Sequence, residues 1–252
     1  MGVVLLLPVY NEETYLPRLL PLLEQVADLI VAVDDGSADR SPEILRRWAS
    51  DRARVELVLR PSNGGKSRAV LEGLQRLEEL RRQGRLGADD ALVLLDADGQ
   101  HPVECIPALC RALAERDLDM LVAARDLSIY PLHKIWGNRL LTWQARLLTG
   151  LAYHDTQCGL RALRLDRATQ LLGVLSGVAY TCEQEMCVAL PLLGWRVAND
   201  FPIRPAHRRS NSTLADAVRI LAAGWRAWRR FRRSSARVAE PAREKEPAAS
   251  VP

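Results

Sequence analysis

Short apolar runs recur through the first half of the chain, and each stops at a cluster of acidic, glycine or asparagine residues. Residues 3–7 lead into Pro8-Val9-Tyr10-Asn11-Glu12, 29–33 into Asp34-Asp35-Gly36-Ser37, 55–59 into Asn63-Gly64-Gly65-Lys66, and 91–95 into Asp96-Ala97-Asp98-Gly99-Gln100. Unbroken Val/Ile/Leu runs of this length predict strands buried on both faces of a parallel sheet. Helix-period stretches lie between them, at roughly 14–26, 41–50, 66–83 and 102–116, and a fifth strand is expected at 119–123. This β-α rhythm predicts right-handed crossovers, which gather the carboxyl ends of the strands on one rim. Open α/β sheets bind ligands at that rim. The four clusters are therefore expected to converge on one site.

After Arg125 the pattern changes. A loop around Pro131 precedes a helical period over 134–148 that aligns Trp136, Leu140, Trp143 and Leu147. A strand over 157–165 is expected to enter from Asp155-Thr156-Gln157-Cys158-Gly159-Leu160-Arg161, followed by a helix over 181–193 and a short strand over 196–200, ending before Pro202. Residues 214–233 are amphipathic, with Leu214, Val218, Leu221, Trp225 and Trp228 spaced by three or four and arginines elsewhere around the helix. The Pro/Ala/Glu-rich end is expected to be disordered. The organisation expected is a catalytic domain over 1–213, a basic helix over 214–236 and a tail over 237–252.

Charge changes this picture at one place. The net charge is +4, but ten Arg and one Asp between Arg204 and Arg237 carry +9 and leave −5 for the rest. No apolar stretch approaches the roughly 20 residues needed to span a bilayer. The apolar start lacks a basic leader and reads as a first strand, not a signal peptide. The five cysteines form no CxxC pair and the four histidines lack zinc-ligand spacing, so buried, reduced thiols are expected.

The chemistry-bearing residues are carboxylates. Asp96 and Asp98, two apart at the end of a buried strand, repel unless a cation or donor offsets them. Hard divalent cations accept carboxylate oxygens and complete their shell with waters and phosphates. Asp34-Asp35-Gly36-Ser37 repeats the pattern, either as turn and cap chemistry or as an acceptor for a nucleobase N–H or ribose hydroxyl. Asn63-Gly64-Gly65-Lys66 offers backbone N–H groups and an ammonium at a helix start, which suits an anion, though the Walker A frame is missing. No GxGxxG follows the first strand, which disfavours a dinucleotide-binding hydride-transfer enzyme.

These five motifs, in this order, resemble family 2 glycosyltransferases with a GT-A fold: a mostly parallel central sheet flanked by helices, here with a basic amphipathic C-terminal helix. The chain looks most like the dolichyl- or polyprenyl-phosphate mannosyl- and glucosyltransferase branch, over about residues 3–220. The resemblance implies a hexosyltransferase with a nucleotide-sugar donor, Mg²⁺ or Mn²⁺, and inversion at the anomeric carbon. By motif position, Pro8, Tyr10, Asn11, Glu12, Asp34, Asp35, Lys66 and Asp96 would bind the nucleotide sugar. Asp98 and Gln100 would hold the metal, and Lys66 would partner the carboxylates. Arg125, Arg139, Arg208 and Arg209 would bind an acceptor phosphate, so Asp96, Asp98, Arg125 and Arg139 form the implied catalytic set. Two positions depart from the branch: Ala124 stands where serine often precedes the arginine, and the stretch after Pro202-Ile203 lacks the usual Gly-Ser-Lys or Ser-His-Phe forms.

A phosphate acceptor is already largely a dianion at neutral pH and needs arginines rather than a base. A hydroxyl acceptor would need a general base, for which Glu183 and Glu185 are the candidates. Their other reading is as helix-surface or arginine-pairing carboxylates. The expected partners are a nucleotide sugar, a lipid phosphate and a membrane met peripherally through the basic helix 214–233, on the cytoplasmic side at the inner face of a membrane; no nucleic acid is expected. The competing readings are a sugar-nucleotide pyrophosphorylase-like enzyme and a non-catalytic membrane- or RNA-binding module. The first lacks its glycine- and arginine-rich loop after strand one; the second leaves the acidic clusters without a task.

Overall fold

The computed structural model describes residues 1–206 and 213–238. Among these residues seven strands form one sheet, β1 (Val3–Val9), β2 (Leu29–Asp34), β3 (Val55–Leu59), β4 (Ala91–Leu94), β5 (Met120–Arg125), β6 (Arg161–Arg164) and β7 (Val197–Ile203), in the order β3-β2-β1-β4-β6-β5-β7. The first four helices are α1 (Leu16–Val26), α2 (Ser41–Ala49), α3 (Lys66–Arg82) and α4 (Ile106–Glu115), each within a few residues of its expected span. Every residue of β2 and β4 is buried, as continuous apolar runs require. At Gly73, α3 comes so close to β1 that an added Cβ would lie 2.1 Å from a methyl of Leu6.

β6 runs antiparallel between β4 and β5. A reversed strand presents its amino end where its neighbours present their carboxyl ends, so Arg161 pairs with both Leu94 and Val122. This reversal brings the 155–161 motif onto the functional rim. β7 extends through Pro202 instead of stopping before it, and among the described residues pairs only with β5. On an edge strand the missing proline N–H forfeits no ladder bond. Where the β5–β7 register shifts, Asn199 is buried and donates to the carbonyls of Val122 and Ala123, both at 3.1 Å.

The remaining helices are α5 (Leu132–Thr149), the short α6 (Leu165–Ala168) and α7 (Leu171–Val174), α8 (Cys182–Leu192) and α9 (Leu214–Val238). α8 is buried almost throughout. α9 packs on α8 and α5 with Ile220, Ala223, Gly224 and Ala227 buried and Trp228 and Phe231 partly buried against the core, while Val218 and Trp225 are exposed. Gly224 allows close approach at this contact: a Cβ there would lie 2.4 Å from the Gln144 amide oxygen. Among the described residues, no helix is long and apolar enough to cross a membrane.

Candidate active site

The β1–α1 and β2–α2 loops are joined by polar contacts. Asn11 adopts a positive φ of 56°, its Oδ1 accepts from Ala38 N at 2.8 Å, and its own N–H donates to Ser37 Oγ at 2.9 Å. Glu12 N donates to Ser41 Oγ at 2.8 Å. Tyr10 is left exposed beside this corner and Pro8 half-buried within β1. Asp34 is buried; one carboxylate oxygen accepts from Ser37 N, and Oδ1 has no partner among the described residues.

Asp35 turns inward. Its carboxylate accepts from Gly64 N at 3.0 Å, from Gly65 N at 2.8 Å and from the Arg60 guanidinium. The anion that the Asn63–Gly64–Gly65–Lys66 amides suit is therefore an internal one. The loop is pinned by Asp35 and aims Lys66 into the cleft. Gly65, at a φ of +86°, passes so close to Ala179 that a Cβ would meet its Cα at 2.8 Å.

Lys66 pairs with Asp96 and, at 2.5 Å, with Glu183. Burial opposes all three charges, but each opposite charge outweighs it. The Lys66 ammonium is held above its ordinary range, and the Asp96 and Glu183 carboxyls below theirs. Glu183 is thus neither a helix-surface nor an arginine-pairing residue; it is a buried lysine partner that also accepts from Cys182 Sγ at 3.1 Å. Glu185 is buried too, accepts from Ser176 N at 2.9 Å, and is pushed upward by burial. Asp96 fits only because residue 159 is glycine: a Cβ there would lie 2.0 Å from Asp96 Oδ2.

Asp98 faces Gln100, accepting from its backbone N at 3.0 Å and its side-chain amide at 2.7 Å. Tyr130 donates to Gln100 Oε1 at 3.2 Å. One carboxylate and one amide oxygen are hard donors suited to Mg²⁺ or Mn²⁺. Among the described residues no group of three His, Cys, Asp or Glu could hold a metal. Asp98 and Gln100 thus offer two of the oxygens that such a cation takes.

On the other side of Tyr130, Arg125 donates to Asp155 from Nε at 2.6 Å and from Nη2 at 3.0 Å. Its guanidinium lies 5.7 Å from the centre of the Tyr130 ring. Asp155 is buried, also accepts from Asn138 Nδ2 at 2.7 Å, and is oriented by Asn199 Oδ1, which accepts the backbone N–H of both His154 and Asp155. Burial opposes the pair, yet Arg125 is held above and Asp155 below its ordinary value by the other. Arg125, Arg139 and Arg146 line a cavity of about 540 Å³ with Asp126, Leu127, Thr142, Trp143 and His154. Arg208 and Arg209 lie outside the described residues.

The structure thus brings Lys66, Asp96, Asp98, Gln100, Arg125 and Arg139 to one rim. It adds residues to which sequence reasoning gave no role: Gly159, Asn138, Asp155, Arg146 and the fully buried Arg161, which donates to the carbonyls of Thr156, Cys158 and Glu183. Arg161 carried a signal, since an arginine inside an apolar strand must be paired.

A doubly flanked, mostly parallel sheet with an acidic cleft at its carboxyl rim defines a GT-A-type fold, and comparison with known proteins agrees. Residues 4–163 match the glycosyl transferase family 2 model, and the chain belongs to that family. The chain is 35% identical over 233 residues to an undecaprenyl-phosphate 4-deoxy-4-formamido-L-arabinose transferase of Pseudomonas paraeruginosa (strain DSM 24068 / PA7), covering 87% of this chain and 62% of that protein. It therefore spans less than two thirds of that relative. Glucosyl-3-phosphoglycerate synthase of Mycobacterium tuberculosis shares the fold at a TM-score of 0.65 and 17% identity, covering 90% of this chain and 79% of that one. A mannosyltransferase from Pyrobaculum calidifontis in complex with GDP-Man and Mn²⁺ does so at a TM-score of 0.55 and 18% identity, covering 94% and 73%.

Proposed function

We propose that the protein is a metal-dependent inverting hexosyltransferase that moves a sugar from a UDP- or GDP-sugar to a polyprenyl phosphate at the inner face of a membrane. The observation that carries this reading is the arginine-lined cavity of Arg125, Arg139 and Arg146, joined to the Asp98–Gln100 pair through Tyr130. An anionic acceptor and an anionic leaving group each have a receptor, a single tyrosine apart. The names of the relatives support the lipid-phosphate and nucleotide-sugar parts of it, though not the hexose: one is an undecaprenyl-phosphate 4-deoxy-4-formamido-L-arabinose transferase, and a neighbour of the same fold is in complex with GDP-Man and Mn²⁺.

In this reading Pro8, Tyr10, Asn11, Glu12 and Asp34 form the nucleoside end, and Asp35 sets the loop that carries Lys66. Asp98 and Gln100 hold Mg²⁺ or Mn²⁺, which when bound neutralises charge on the diphosphate. Lys66, bridging Asp96 and Glu183, fixes the local charge beneath the sugar. Arg125 and Arg139 orient the acceptor phosphate, and Asp155 keeps Arg125 in place. A phosphate oxygen then attacks the anomeric carbon opposite the diphosphate; that C–O bond forms as the bond to the diphosphate breaks, so configuration inverts. No proton need be removed from a phosphate dianion. This agrees with both glutamate candidates for a general base being engaged, Glu183 by Lys66 and Glu185 by the Ser176 backbone. The exposed arginines of α9 supply a peripheral contact with anionic lipid.

The test is incubation with each nucleotide sugar, Mn²⁺ and a short polyprenyl phosphate, with lipid product read by mass spectrometry. Transfer is expected, and Asp98→Ala and Arg139→Ala are each expected to lose it. Transfer to a sugar hydroxyl that depends on Glu183 and survives Arg139→Ala would overturn the reading.

A further inference from the structure

The outer face of α5 is apolar along its whole length. Leu132, Trp136, Leu140, Trp143 and Leu147 recur every three or four residues and are 74%, 65%, 49%, 57% and 57% exposed. The opposite face, with Asn138, Leu141, Thr142, Ala145 and Leu148, is buried against the domain. Five large side chains on one exposed stripe make a contiguous patch, which marks an interaction surface rather than ordinary surface scatter.

The borders of the stripe say what it meets. Arg139 and Arg146 stand exposed on the same helix, with the Arg139 guanidinium 5.7 Å from the Trp136 ring centre. α9 packs beside α5, with Gln144 donating to the Leu221 carbonyl at 2.8 Å. It adds exposed Trp225, Arg226, Arg229, Arg230 and Arg233. Trp and Leu flanked by arginine is the composition of a helix lying in a lipid interface. A second copy would instead set this cationic border against an identical one.

We infer that the α5 stripe is the element that inserts into an anionic bilayer, with α9 supplying charge rather than apolar anchorage. The inference deepens the proposed function. Trp143 belongs both to the stripe and to the wall of the arginine cavity, so docking α5 turns that cavity toward the lipid surface.

The test is flotation of the full chain with vesicles of phosphatidylglycerol and phosphatidylethanolamine, or of phosphatidylcholine alone, containing neither polyprenyl phosphate nor nucleotide sugar. Binding to the anionic vesicles only is expected. Leu140→Glu/Leu147→Glu, two stripe positions outside the wall of the cavity, is expected to lower it at least tenfold, and Leu22→Glu, an exposed position on α1, to leave it unchanged. Thermal melts check that each variant is folded. The double variant is also expected to keep transfer to a short water-soluble isoprenyl phosphate and lose transfer to a vesicle-embedded one. Unchanged flotation of the double variant would overturn the inference. So would a wild-type dimer that the double variant dissociates while vesicle binding stays intact. Flotation needs no catalysis, so failure of the transferase reading and failure of the docking reading are separately visible.

Discussion

Removing the lysine at the centre of the site tests the electrostatic argument most directly. In Lys66→Met the chain keeps two carboxylates that lose their shared cation: Glu183, with 8% of its side chain exposed, and Asp96, with 28%. Stripping one partner from a buried ion pair costs about 3–5 kcal/mol. Because Lys66 itself retains 19% exposure, solvent takes up part of the loss, and about 3 kcal/mol is expected. For a chain of this size that lowers the melting temperature by roughly 6–12 °C. Adding Glu183→Gln removes the most buried uncompensated charge. The double variant should therefore recover part of the loss, with a coupling of about 1–2 kcal/mol. The sign with pH follows from the directions of shift. Glu183 lies below its ordinary value in the folded wild type, so its contribution is complete above the unfolded value of about 4.3 and is lost as the pH falls through the folded one. In Lys66→Met the glutamate can take up a proton near that pH, so the gap to wild type narrows on acidification. Thermal melts of the wild type, both single variants and the double variant at pH 7 and pH 4.5 give the whole cycle. A coupling below about 0.5 kcal/mol, or a gap that widens in acid, would refute the reasoning.

Gly159→Ala places a methyl 2.0 Å from Asp96 Oδ2; it should displace that carboxylate and lower transfer at least tenfold with little change in far-UV circular dichroism. Asp155→Asn leaves the 16%-exposed Arg125 without its counter-charge, a loss of about 3 kcal/mol in denaturant melts, together with a raised KM for the acceptor and an unchanged KM for the donor. Asp155, like Glu183, is held below its ordinary value by its cationic partner. Wild-type stability should therefore rise with pH through the acid range below about pH 4, and Asp155→Asn should flatten that rise.

The sequence by itself determined the elements whose cause is local. β3 begins and ends where its apolar run does, and the first four strands deliver Tyr10, Asp34, Lys66 and Asp96 to one rim because right-handed crossovers leave no other arrangement. The motif order was enough to point to the family that the comparison shows. Partnerships between distant residues were not legible. That Lys66 reaches Glu183 and that Arg125 is held by Asp155 depends on where α8 and the reversed strand β6 come to lie. No spacing in the chain encodes those positions. Periodicity also left the direction of a face open. On α9 Ile220, Ala223 and Ala227 are buried while Val218 and Trp225 face out; on α5 the full row of Trp and Leu faces out while Asn138 and Thr142 are buried. A helical repeat records that apolar residues share a side. Which side meets the core is decided only when neighbouring elements compete for the space, as the close approach at Gly224 and the buried hydrogen bond of Asn138 show.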